Sequence, residues 1–145
     1  MKLIFLDIDG VMTSSSLIME KGKIYPFSES SVIALNNILY SNNVRIILTS
    51  SWRTVFNVEK QCQIFEENGI CQMPMGATID LGFENRSLEI KDYLASHDVE
   101  NFVILDDMEI ENFENHFLRI NPENGLTMKN VKEINEILTI QWKKD

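Results

Sequence analysis

Asp7 and Asp9 stand two residues apart at the end of an apolar run and are followed at once by glycine, as Asp7-Ile8-Asp9-Gly10. Side chains alternate along an extended strand, so an Asp-x-Asp pair turns both carboxylates to one side. Two carboxylates held that close repel, and a cation or a shared proton offsets the repulsion. Gly10 then lets the backbone turn away. A calcium loop of the EF-hand type needs acids at its first, third and fifth positions and glycine at its sixth. Here glycine comes fourth and Val11 fifth, which sets that reading aside. A solvated turn at a strand end is the plainer alternative for the motif taken alone.

Three further groups fit the same chemistry. Asp106-Asp107 closes the apolar run Phe102 to Leu105 and supplies the second half of a carboxylate cage. Oxygen-only ligation by few carboxylates, with room for water and phosphate, suits magnesium. Thr49-Ser50-Ser51 ends another apolar run and opens a helix, where hydroxyls and free backbone N–H groups form a natural phosphate site. Taken alone, that run is better explained by plain N-capping of the next helix by a serine. Arg53 follows directly, with its direction open. Arg86 stands just before a later helix, where it is either a surface arginine or positive charge for a phosphate, and Lys91 is the second candidate for that role. His97 and His116 lie away from the strand ends and are assigned surface or helix-end roles. Met73 and Met75 are assigned to packing, and Glu109 to Glu114 to a solvated helix face.

The elements that must carry these groups alternate short apolar runs with longer amphipathic stretches, the pattern of an α/β protein with a parallel sheet. Strands are expected at Leu3 to Leu6, Val44 to Leu48, Phe102 to Leu105 and Phe117 to Ile120, with a short one near Ala77 to Ile79. Helices are expected over Ser28 to Ser41, Trp52 to Asn68 (stopped by Gly69), Ser87 to Ser96, and from the Thr127 cap to about Trp142. Asn121-Pro122-Glu123-Asn124-Gly125 reads as a turn. Three expected strands end in polar residues, and open α/β sheets bind ligands at the carboxyl ends of their strands.

The chain has 145 residues, 44% hydrophobic and 24% charged, which is the make-up of one globular domain spanning 1–145. No repeat, low-complexity tract or linker interrupts it. No apolar run approaches the ~20 residues that cross a bilayer, and Asp7 cuts short the apolar start, so a cytoplasmic protein is expected. Cys62 and Cys71 lack the close spacing of zinc sites and are expected to be reduced thiols. A net charge of −9 argues against a large polyanionic partner, because nucleic-acid binders usually present a basic stripe.

In their order along the chain these motifs resemble the haloacid dehalogenase superfamily, over nearly the whole sequence. An apolar strand ending in Asp-x-Asp-Gly matches Leu3 to Val11, and a strand ending in Thr or Ser matches Ile46 to Ser50. A basic residue opening the helix before the fourth strand matches Arg86, although lysine is commoner there. A strand ending in two acids matches Val103 to Asp107. The resemblance implies a three-layer sandwich around a central parallel sheet, the Rossmann-like fold of that superfamily. It implies that Asp7 is the nucleophile forming an aspartyl-phosphate and that Asp9 protonates the leaving oxygen and then activates water. Thr49, with Ser50 beside it, and Arg86 would hold the phosphoryl oxygens. Magnesium would lie among Asp7, the backbone carbonyl of Asp9 and Asp107, with Asp106 as a further ligand or an anchor behind it. Relatives that displace halide lack an acid at the position of Asp9, so a phosphatase is expected rather than a dehalogenase.

Val11 to Phe27 leaves room for a small flap only, and Ile70 to Asn85 is too short for a folded lid. The chain thus resembles capless members, whose open sites often take the ends of large molecules. The Ser50-to-Arg53 run and the Pro122-to-Thr127 turn are similar to those of capless domains found beside RNA-repair enzymes. The acidic charge favours a phosphoprotein, phosphotyrosine for example. Nucleic-acid ends or nucleotides, and a non-catalytic phosphate- or metal-binding module, are the alternatives.

Overall fold

The computed structural model describes residues 1–15, 23–82 and 84–144. Five strands form one all-parallel sheet: β1 (Lys2–Leu6), β2 (Val44–Leu48), β3 (Gly76–Ala77), β4 (Asn101–Asp106) and β5 (Phe117–Arg119), in the order β3-β2-β1-β4-β5. The helices are α1 (Glu29–Ser41), α2 (Trp52–Val55), α3 (Val58–Glu67), α4 (Arg86–Ser96) and α5 (Met128–Ile137). A short 3-10 turn, Glu114–His116, leads into β5.

The strands are apolar almost throughout because helices cover both sides of the sheet. Their period of two divides the core. Ile4, Leu6, Ile46, Leu48, Val103 and Leu105 pack with α1, α3 and α5. Leu3, Phe5, Ile47, Phe102 and Ile104 pack with Ile90, Tyr93 and Leu94 of α4. This is the expected three-layer sandwich, with no cap domain among the described residues. The flap expected over 11–27 lies partly on 16–22, outside the described residues.

Three expectations need correction. The single helix over Trp52 to Asn68 is two helices, because Phe56 and Asn57 are extended and the Asn57 side chain accepts from Lys60 N at 2.8 Å, starting α3 afresh. Phe56 is thereby placed with its ring 5.8 Å from Tyr25 and 5.2 Å from Trp52. The last helix stops at Ile137 instead of Trp142, and the tail beyond it crosses to the α4 face, where Trp142 packs edge-on to Phe102. On α4 the apolar Leu88 is 54% exposed while Glu89 is buried, the reverse of the amphipathic expectation. Partners that sequence periodicity does not register hold that carboxylate inside.

Candidate active site

The parallel register lines up the strand ends. Leu6 is paired with Leu48 and with Leu105, so Asp7, Thr49 and Asp106 emerge side by side at the carboxyl edge. Asp7 N donates to Leu105 O at 3.1 Å and Thr49 N to Leu6 O at 3.0 Å, carrying the alignment one residue past each of those two strands. Asp7, Asp106 and Asp107 each bring a carboxylate oxygen within 4.8 Å of the others.

Asp9 is placed differently from the strand expectation. The strand ends at Leu6, and Ile8 O accepts from the N–H groups of Val11, Met12 and Thr13, so Asp9 sits in a turn. Its exposed carboxylate accepts a hydrogen bond from the Tyr25 hydroxyl. Burial, together with that bond, raises the Tyr25 pKa and keeps the phenol protonated. Gly10 holds φ +86°, and a Cβ there would collide with the Asp107 carboxylate. The glycine therefore makes room for the third carboxylate as well as for the turn. Gly10→Ala should cost about 1–3 kcal/mol in backbone strain and displace Asp107. Urea unfolding checks the first effect, and magnesium titration calorimetry should show weakened binding.

Burial pushes Asp7 up to about 8, with the charge of Asp106 and a hydrogen bond from protonated Asp7 to Asp107 adding to it and Arg86 opposing. Asp106 is raised by burial too, against Arg86 and the Met108 N–H. Buried carboxylates that resist ionising together are a donor set short of positive charge. A hard divalent cation with oxygen ligands fits these residues. Asp7, Asp106 and Asp107 would hold it, neutralising the cluster and polarising the oxygens of a bound phosphate.

Arg86, in the first turn of α4, places Nη1 2.5 Å from Asp106 Oδ2 and 3.7 Å from Asp7 Oδ1. Lys91 instead lines a groove with Leu94 and Trp142 on the α4 side. The structure thus brings Arg86, and not Lys91, to the carboxylates. Thr49 is fully buried, and its Oγ1 has no hydrogen-bond partner among the described residues. A buried hydroxyl without a partner is costly, and a phosphoryl oxygen would satisfy it. Ser50 Oγ accepts from Trp52 N at 3.1 Å and so serves the start of α2.

A cleft of about 620 Å³ opens beside Arg86, lined among others by Ser51, Asp80, Glu84, Met108 and Glu111. Sequence reasoning missed Tyr25 and Glu89 and left Arg53 without a direction. Tyr25 lies in an irregular segment and carries no motif. Glu89 carried one signal, its position three residues after Arg86 on a helix.

A family model described as the HAD domain in Swiss Army Knife RNA repair proteins matches residues 3–131. No curated protein and no solved structure matches the chain.

Proposed function

Because this chain belongs to that family of HAD domains, we propose that it is a magnesium-dependent phosphomonoester hydrolase acting on the terminal phosphate of an RNA strand. The observation that carries the reading is the convergence at one sheet edge of Asp7, the Thr49 hydroxyl (without a partner among the described residues), Arg86 and the Asp106-Asp107 pair. An Asp7 oxygen attacks phosphorus, and the bond from phosphorus to the leaving oxygen breaks. That oxygen takes a proton from Asp9. Water, giving a proton back to Asp9, then attacks phosphorus, and the bond to Asp7 breaks to release inorganic phosphate. Arg86 and the Thr49 hydroxyl hold the oxygens on which charge develops.

The family's description, which speaks of RNA repair, supports the RNA end as substrate. An opposing observation favours a phosphoprotein: the net charge is −9 and the cleft carries Asp80, Glu84, Glu109 and Glu111. Release of inorganic phosphate should be measured, with and without magnesium, from short RNAs phosphorylated at either end and from phosphopeptides. Metal-dependent release from RNA supports the proposal. Release from peptides alone transfers it to the second reading. No release from either leaves a binding module without turnover.

Tyr25 offers a finer check, because its hydroxyl holds the carboxylate assigned to proton transfer. Tyr25→Phe removes one hydrogen bond to a charged group, worth about 1.5–3 kcal/mol. Turnover of an alkyl phosphate should fall by about 10–100-fold. A nitrophenyl phosphate, whose leaving group needs no proton, should be affected much less. Equal losses on both substrates would assign Tyr25 to packing alone.

A further inference from the structure

Glu89 is 2% exposed, although it sits on α4, among the most water-seeking of side chains. A buried carboxylate costs several kcal/mol unless ion pairs and hydrogen bonds satisfy it. Here they do. Glu89 Oε2 accepts from Arg53 Nη2 at 2.7 Å and from Leu81 N at 2.8 Å. Glu89 Oε1 lies 3.4 Å from Arg86 Nε. Arg53, whose side chain is only 6% exposed, continues the network. Its Nη1 donates to Thr49 O and to Ser50 O, each at 2.6 Å, and its Nε donates to Thr78 O at 3.1 Å.

Glu89 therefore touches both halves of the phosphate-holding machinery. On one side it meets the guanidinium of Arg86. On the other, through Arg53, it reaches the backbone of the segment that presents the Thr49 hydroxyl. Arg86 has two other carboxyl neighbours, Asp106 and Asp7. Without a counter-pull at Nε, its guanidinium would turn wholly onto those carboxylates and away from an incoming phosphate. An exposed i,i+3 ion pair would be worth too little to hold it, but this acid is desolvated and further anchored by a second arginine and a backbone N–H.

We propose that Glu89 is a positioning residue of the site, fixing the orientation in which Arg86 meets phosphoryl oxygens and, through Arg53, the place of Thr49. The inference rests on the phosphatase reading, and binding rather than turnover tests it. Inorganic phosphate is titrated calorimetrically into magnesium-loaded wild type, Glu89→Gln, Arg86→Gln and the double variant. Gln keeps the shape and removes the charge. Glu89→Gln should weaken phosphate binding by about 10-fold in the wild-type background and by several-fold less in the Arg86→Gln background, where only its route through Arg53 to Thr49 remains, because coupled residues are non-additive.

Equal losses in both backgrounds would overturn the positioning role and leave the phosphatase reading standing. Failure of wild type to bind phosphate would overturn both. If Glu89→Gln does not fold, the wild-type protein carries the test by nitrogen-15 NMR of its arginine side chains. Arg86 Nε–H should show slowed solvent exchange even without phosphate, and exchange as fast as that of a free arginine would overturn the proposal.

Discussion

Asp7→Asn is expected to lower phosphate-ester turnover by about 10⁴-fold or more, the scale of loss seen when a covalent nucleophile is removed. The same change should make the metal-free protein more stable near pH 9. Both follow from one placement. Asp7 is buried against Asp106 and Asp107 at the end of β1, where the folded chain resists its ionisation and holds it up to about 8. Asparagine keeps the shape and an acceptor oxygen but removes the nucleophile and one of three crowded charges. Phosphate release and thermal melting in chelator, run side by side on the two proteins, give both readouts. A variant that lost activity and also melted lower above pH 8 would show that the cluster is not a site of stored repulsion. Opposite movement of activity and stability is the usual mark of a functional group kept at a cost to the fold.

The second large effect is a pH dependence that magnesium reverses. Unfolded, Asp7 titrates near 3.8; folded and metal-free, near 8. Between those values the folded chain keeps a proton that the unfolded chain has lost, so unfolding releases protons and stability falls as pH rises. This contribution is fully present below about pH 4 and gone above about pH 8. Asp106 is raised also and acts in the same direction. Ligation needs deprotonated carboxylates, so magnesium binds more tightly as pH rises and releases protons as it binds. At about a hundredfold excess over its dissociation constant the ion should add about 2.7 kcal/mol. Melting curves from about pH 5 to about pH 9, in chelator and in magnesium, should converge at the acid end and separate at the basic end. A flat metal-free profile with no response to magnesium would remove the grounds for a metal site.

Strand positions were legible because buried parallel strands are uninterrupted apolar runs: Val44–Leu48 is recovered residue for residue, and Leu3 to Leu6 to within one. The polar residues closing those runs were legible for the same reason, since a carboxylate or hydroxyl directly after a buried strand stands out against its apolar background. Helix limits were less so. The break at Phe56-Asn57 is made by the Asn57 cap and sets Phe56 against Tyr25, distant in sequence, and the early stop at Ile137 lets Trp142 reach the other face of the sheet. Apolar periodicity runs through both points without a mark. Glu89 reads as a surface acid because its burial depends on Arg53 and on the Leu81 N–H, contributed by other segments.

By itself, the sequence determined the family of fold, the run of chemical groups along the chain, and Asp7 as the first carboxylate of the site. These depend on local order: which residue ends which strand. Only the tertiary structure decided which groups meet. Parallel pairing of β1 with β2 and β4 put Asp7, Thr49 and Asp106 in one row. Packing of α4 chose Arg86 over Lys91 and buried Glu89 behind it, and the turn after β1 handed Asp9 to Tyr25. The physical reason is that burial and Coulomb interaction depend on distances between segments far apart in sequence, and those distances exist only after the chain has folded.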